Sequence, residues 1–189
     1  NMKEVKSVKQ YRYYKTFTLF KKKEIELSNL NIFVGDNGVG KTTLIKEITR
    51  GYDKVLNLGN LSKDGIRNSF SQLANDSYFK AGSKDYVNNI MSFYFSNNSS
   101  NGEVILATLN DLEVILDVKG LIIIFDEPET SISLKNQIRL RNYISKLSEN
   151  NQIFLSTHSP VFMELSDVVF DVEKLKWTNR KNYLKNILK

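Results

Sequence analysis

The stretch Leu30 to Val34 runs directly into Gly35-Asp36-Asn37-Gly38-Val39-Gly40-Lys41-Thr42, and Lys41 to Arg50 then carries Leu44, Ile45 and Ile48 on a helix-compatible segment. This is G-x-x-x-x-G-K-[ST] spacing between a strand and a helix, and few folds accommodate it. The glycines let the backbone curl so that successive N–H groups converge on an anion, and the helix behind them adds its positive N-terminal end. Phosphate is the anion such a loop is shaped for. Lys41 is placed to neutralise β and γ phosphates, and the Thr42 hydroxyl is a hard-oxygen ligand for Mg²⁺.

The rest of the chain alternates in the way an α/β sheet requires. Thr16 to Phe20, Ile25 to Leu27 and Lys54 to Leu58 read as strands. Leu121-Ile122-Ile123-Ile124-Phe125 is an unbroken apolar run, the pattern of a central parallel strand covered on both faces. From Ser133 to Leu147 the residues Leu140, Tyr143, Ile144 and Leu147 recur at helical spacing, with Lys135, Arg139 and Lys146 on another face. Ile153 to Leu155 is predicted as a strand, Pro160 to Leu165 as a short helix and Val168 to Phe170 as the last strand. Between them, residues 60–102 turn polar and form a small helical insertion, followed by a helix with Ile105, Leu109, Leu112 and Leu116 at helical spacing. At 189 residues the expected organisation is one domain over 1–189: a mainly parallel sheet flanked by helices.

Composition narrows the setting. The chain has no cysteine, so it has neither a disulfide framework nor a thiolate metal site. No apolar run approaches the roughly 20 residues that span a bilayer, and Asn1 to Phe20 lacks the apolar core of a signal peptide. A cytoplasmic protein with no integral membrane segment is expected. The net charge of +6 is unevenly spread: residues 1–23 carry eight Lys/Arg against Glu4, and 171–189 carry six against Asp171 and Glu173, which leaves the middle acidic. Basic ends fit contact with a nucleic acid or another polyanion equally as well as a solvated lysine-rich surface.

Three further strings carry chemistry. Asp126-Glu127 follows the strand Leu121 to Phe125, at the edge where ligands of open α/β sheets gather. There Asp126 suits a water-bridged Mg²⁺ and Glu127 suits polarisation of an attacking water. His158, the sole histidine, directly follows Ile153-Phe154-Leu155-Ser156-Thr157, so its imidazole can reach the same edge and contact a γ-phosphate. Ser100-Asn101-Gly102-Glu103 reads as a capping box, and the same capped helix start is an anion site able to grip a γ-phosphate held by another protomer.

Together GDNGVGKTT, SNGE, LIIIFDEPE and STHSP, in that order, resemble the ATP-binding-cassette superfamily, and within it the soluble AAA-type ATPases related to the OLD proteins and the heads of SMC-like repair ATPases. The likeness runs from about Leu27 to Pro160. It implies a P-loop NTPase fold of the ABC-type head, with ATP and Mg²⁺ as ligands. By that likeness Gly35, Asn37, Gly38, Val39, Gly40, Lys41, Thr42 and Thr43 form the Walker A loop, and Asp126 and Glu127 the Walker B pair. Ser100, Gly102 and Glu103 are then the signature motif, His158 the switch histidine and Thr130 to Leu134 the D-loop. Gln72 is the candidate Q-loop residue, and Tyr11, Tyr13 and Tyr14 are candidates to stack on adenine. The sequence departs from the transporter form LSGGQ at Ser99 to Glu103, and from OLD-like chains in lacking a His-Pro pair after Ser133.

The expected activity is ATP hydrolysis, with Lys41, Glu127 and His158 at the reacting phosphate and Thr42 and Asp126 at the metal. ATP-dependent homodimerisation is expected to regulate a separately encoded effector, in DNA repair or phage defence. The alternatives are the nucleotide-binding subunit of an ABC transporter and a regulatory module that binds ATP without turnover. Glu127 argues against the last, because a pure binder does not need the second acid.

Overall fold

The computed structural model describes residues 16–18, 24–52, 55–58 and 119–187. Along the chain these form β1 (Thr16–Thr18), β2 (Glu24–Glu26), β3 (Leu30–Val34), α1 (Lys41–Thr49), β4 (Val55–Asn57) and β5 (Ile122–Asp126). A 3₁₀ turn (Pro128–Ser131) leads to α2 (Leu134–Leu147), β6 (Gln152–Ser156), α3 (Pro160–Met163), β7 (Val168–Asp171), β8 (Lys176–Asn179) and α4 (Arg180–Ile187). The main sheet runs β4-β5-β6-β3-β7-β8, and β1 pairs with β2 in a separate antiparallel ribbon. Every neighbouring pair in the main sheet is parallel except β7 with β8.

The apolar runs are explained by burial on both faces. Successive side chains of a strand point to opposite sides, so Ile32, Val34, Ile123, Phe125, Ile153 and Leu155 enter one layer with Leu140 and Ile144 of α2. Phe33, Ile122, Ile124 and Phe154 enter the other, with Ile45 and Ile48 of α1 and Ile25 of β2. Phe33 lies at the aromatic centre of that second layer, its ring centroid 6.2 Å from Phe154 and 5.5 Å from Phe170.

Two elements lie beyond the strand read as the last. Among the described residues β8 is an edge strand that pairs only with β7, and its residues Lys176-Trp177-Thr178-Asn179 carry no apolar run for a pattern to detect. Trp177 anchors it, packing edge-on to Phe170 at 5.3 Å and donating its indole N–H to the Glu26 carbonyl. α4 has no buried residue, so it lacks the apolar stripe that marks a helix in sequence, although Tyr183 and Leu184 pack against the core. The insertion at 60–102 and the helix expected near Ile105 to Leu116 lie outside the described residues.

Candidate nucleotide-binding site

Three parallel strands deliver the three motifs to one edge. Phe33 of β3 is in register with Ser156 of β6, and Ser156 is in register with Asp126 of β5. The strands therefore end together, and the segments Gly35 to Gly40, Asp126-Glu127 and Thr157-His158 emerge side by side. The central position of β6 places His158 between the other two.

The loop after β3 depends on glycine at two points in particular. Gly35 has φ 145°, and a Cβ there would lie 2.9 Å from Val39 Cγ2. Gly40, at φ 95°, is the N-cap of α1 and turns the chain into the helix with a left-handed backbone that side-chain-bearing residues adopt at a cost. The loop is braced from behind by Glu173, whose Oε1 accepts the Asp36 N–H at 3.0 Å. Lys41 opens α1 and is 4% exposed. Its Nζ donates to the Gly35 and Asp36 carbonyls at 3.1 and 3.0 Å, so the side chain folds back over the loop it follows.

Thr42 faces the end of β5. Its Oγ1 donates to the Asp126 carboxylate, 2.9 and 2.8 Å from the two oxygens. Ser156 also donates to Asp126 Oδ1, and its own Oγ accepts the Glu127 N–H at 3.0 Å. Asp126 is thus oriented by two hydroxyls, and the hydroxyl–carboxylate pair of Thr42 and Asp126 is an all-oxygen donor set. Such a set fits Mg²⁺, which binds through one or two protein oxygens and completes its shell with water and phosphate. Among the described residues no group of three or more His, Cys, Asp or Glu is placed to hold a metal ion by itself.

Lys41, Glu127 and His158 meet in a triangle. Lys41 Nζ lies 3.2 Å from Glu127 Oε1 and 2.9 Å from His158 Nε2, and Nε2 lies 3.0 Å from Glu127 Oε1. One ring nitrogen cannot accept from the ammonium and donate to the carboxylate at once, so in a neutral imidazole Nε2 serves one of these two partners, as the tautomer sets. Burial pushes the Glu127 carboxyl upward, but the Lys41 hydrogen bond and charge, reinforced by His158, outweigh it and hold the group below its ordinary value of 4.5. Glu127 also takes a left-handed backbone, φ 49°, unusual for a non-glycine residue and a form of local strain that tends to mark functional sites.

Four residues not singled out by sequence reasoning help hold this arrangement: Ser156, Thr157, Glu129 and Glu173. The first three stand inside the strings STHSP and DEPE, where their nearness to the motif was the available signal. Glu173 is 137 positions from Asp36, and no local pattern marks it. Asn37, Gly38 and Val39 lie in the loop and Thr43 in the first turn of α1. Ser100, Gly102, Glu103, Gln72, Tyr11, Tyr13 and Tyr14 lie outside the described residues.

A phosphate loop and an acidic strand end meeting at the C-terminal edge of a parallel sheet define the architecture. The fold is that of the ABC-type P-loop ATPases. Among solved structures with this fold, CbiO1 from Clostridium perfringens, part of the ABC transporter complex CbiONQ, matches with a TM-score of 0.60 and 13% identity. The match covers 91% of this chain and 88% of that one. A putative metal-chelate type ABC transporter in an inward-facing conformation matches with a TM-score of 0.57 and 17% identity, covering 88% of this chain and 79% of that one. Residues 113–164, which span β5 to α3, match the family described as "AAA domain, putative AbiEii toxin, Type IV TA system". No curated protein shows significant similarity to the chain. Among the described residues no helix is long and apolar enough to cross a membrane.

Proposed function

We propose that this domain binds and hydrolyses ATP with Mg²⁺, and that the ATP-bound form pairs with a second copy to regulate a separately encoded effector. The observation that carries this reading is the convergence of Lys41, Thr42, Asp126, Glu127 and His158 within hydrogen-bond reach at one sheet edge. The loop N–H groups and Lys41 would take the β and γ phosphates, whose oxygens compete with Glu127 for the same ammonium. Thr42 and Asp126 would hold Mg²⁺, which supplies charge neutralisation between the phosphates. Glu127 would orient a water and accept its proton as the water oxygen attacks the γ-phosphorus and the bond to the ADP oxygen breaks. His158, beside both Lys41 and Glu127, would contact the γ-phosphate.

Ser100 to Glu103 would complete the site from the second copy, its helix start gripping the γ-phosphate in trans. The toxin named in the matching family's description is compatible with an effector of phage defence. Sedimentation of Glu127→Gln with ATP and Mg²⁺ tests the mechanism. The variant keeps size and hydrogen-bonding reach but loses the base, so turnover falls at least ~10²-fold while binding survives, and an ATP-dependent dimer accumulates. Adding Ser100→Arg dissolves that dimer by blocking the helix start. A monomer at every concentration sinks the paired mechanism, and a dimer indifferent to Ser100→Arg removes Ser100 from it.

A further inference from the structure

The backbone on both sides of His158 is tied down by one carboxylate. Glu129 stands in the 3₁₀ turn after β5, and its side chain reaches across to the end of β6. The Thr157 Oγ1 donates to it, 3.0 Å from each oxygen, and Oε1 also accepts the His158 backbone N–H. Thr157 is fully buried. Its oxygen accepts the Ser159 N–H at 2.9 Å, while the Ser159 hydroxyl donates to Gln137 Oε1 of α2 at 2.7 Å. The amides of positions 158 and 159 are therefore both fixed, one directly by Glu129 and one through the threonine that Glu129 holds.

A carboxylate suits this place. It is purely an acceptor and can take an O–H and an N–H together, and charge-assisted bonds of this kind are stronger than neutral ones. A glutamine would keep one acceptor oxygen for these donors but lose the charge and the second acceptor oxygen beside the Thr157 hydroxyl. We propose that Glu129 is a positioning residue that fixes the β6-to-His158 corner, so that the imidazole stands within hydrogen-bond distance of Lys41 Nζ and Glu127 Oε1. It acts through His158, and its kinetic consequence rests on the ATPase reading above.

Because the chain has a single histidine, the imidazole Cε1–H signal in a proton NMR spectrum reports His158 directly. In the unliganded wild-type protein that signal should lie away from the position of a free histidine. It should move to the free position in Glu129→Ala and part of the way in the isosteric Glu129→Gln. For ATP turnover, Glu129→Ala should lower kcat about tenfold, the order expected of a displaced reacting group, with KM for ATP within about twofold. In a His158→Ala background the same substitution should change kcat by less than about twofold, since a residue acting through another has no separate effect. An unmoved imidazole signal in Glu129→Gln, or a full tenfold loss persisting without His158, overturns the proposal. The NMR measurement needs no turnover: a wild-type protein that fails to hydrolyse ATP defeats the ATPase reading, while the imidazole signal alone then decides the placement of His158.

Discussion

Lys41 is nearly buried, and its ammonium meets two backbone carbonyls, the Glu127 carboxylate and the His158 ring. In the proposed mechanism it is the fixed cation that meets the phosphates, so Lys41→Ala should abolish nucleotide binding; tight ATP binding by the folded variant, measured by calorimetry, would remove Lys41 from that role. The same contacts make a statement about pH. Glu127 titrates below its ordinary value of 4.5 in the folded chain. Its ion pair therefore stabilises the fold at pH values above 4.5, and the contribution fades as pH falls through the lower folded-state value. Glu127→Gln should flatten the acid limb of the stability profile below about pH 4.5 and leave its shape at neutral pH unchanged. Thermal melts of both proteins from pH 3 to pH 7 would check this, and an unchanged acid limb would mean that the pair contributes nothing.

Strands β3, β5 and β6 form a rigid floor that places these side chains. Phe154 is fully buried between α1 and the sheet and stacks beside Phe33. Phe154→Ala should cost about 3–5 kcal/mol in denaturant unfolding, because the space of a ring cannot close in so tightly packed a layer. The turn between β7 and β8 contributes more subtly. Its Glu173 accepts the Asp36 N–H, and the buried carboxylate of Asp171 at the end of β7 pairs with Lys174 at 3.3 Å. Burial and the nearby charges of Asp171, Glu173 and Asp36 push the Tyr183 phenol up to about 12, so it stays neutral throughout the working pH range. Glu173→Ala should loosen the loop at Asp36 and weaken ATP binding by about 0.5–1.5 kcal/mol, the net value of one hydrogen bond. Calorimetry that finds full affinity would assign that contact to folding alone.

Across the whole molecule, charge is the feature that remains to be connected with a partner. The C-terminal basic cluster includes Lys181 and Lys185, both exposed on α4. Removing the chain from Leu175 onward would also strip β8 and Trp177 from the sheet, so point substitution is the cleaner probe. If the basic ends bind nucleic acid, Lys181→Glu with Lys185→Glu should weaken binding and flatten its dependence on salt, since each lost phosphate contact releases fewer counterions. Equal affinity and slope in wild type and variant would leave these lysines as solvated surface.

Local chemistry was legible without any tertiary information. A glycine-rich loop must sit between a strand and a helix, and an apolar run such as Leu121 to Phe125 must be covered on both sides, so the α/β class and the elements flanking Lys41, Asp126 and His158 could be read from neighbouring residues. Adjacency was another matter. Register between β3, β6 and β5 brings Phe33, Ser156 and Asp126 into line, although they lie far apart in the chain. The supports came only with that register: Ser156 against Asp126, Glu129 against Thr157 and His158, and Glu173 against Asp36. Edge strand β8 and helix α4 were hidden for the complementary reason, since each is held by a few contacts to a core already formed and neither carries the apolar periodicity that burial on a full face imposes.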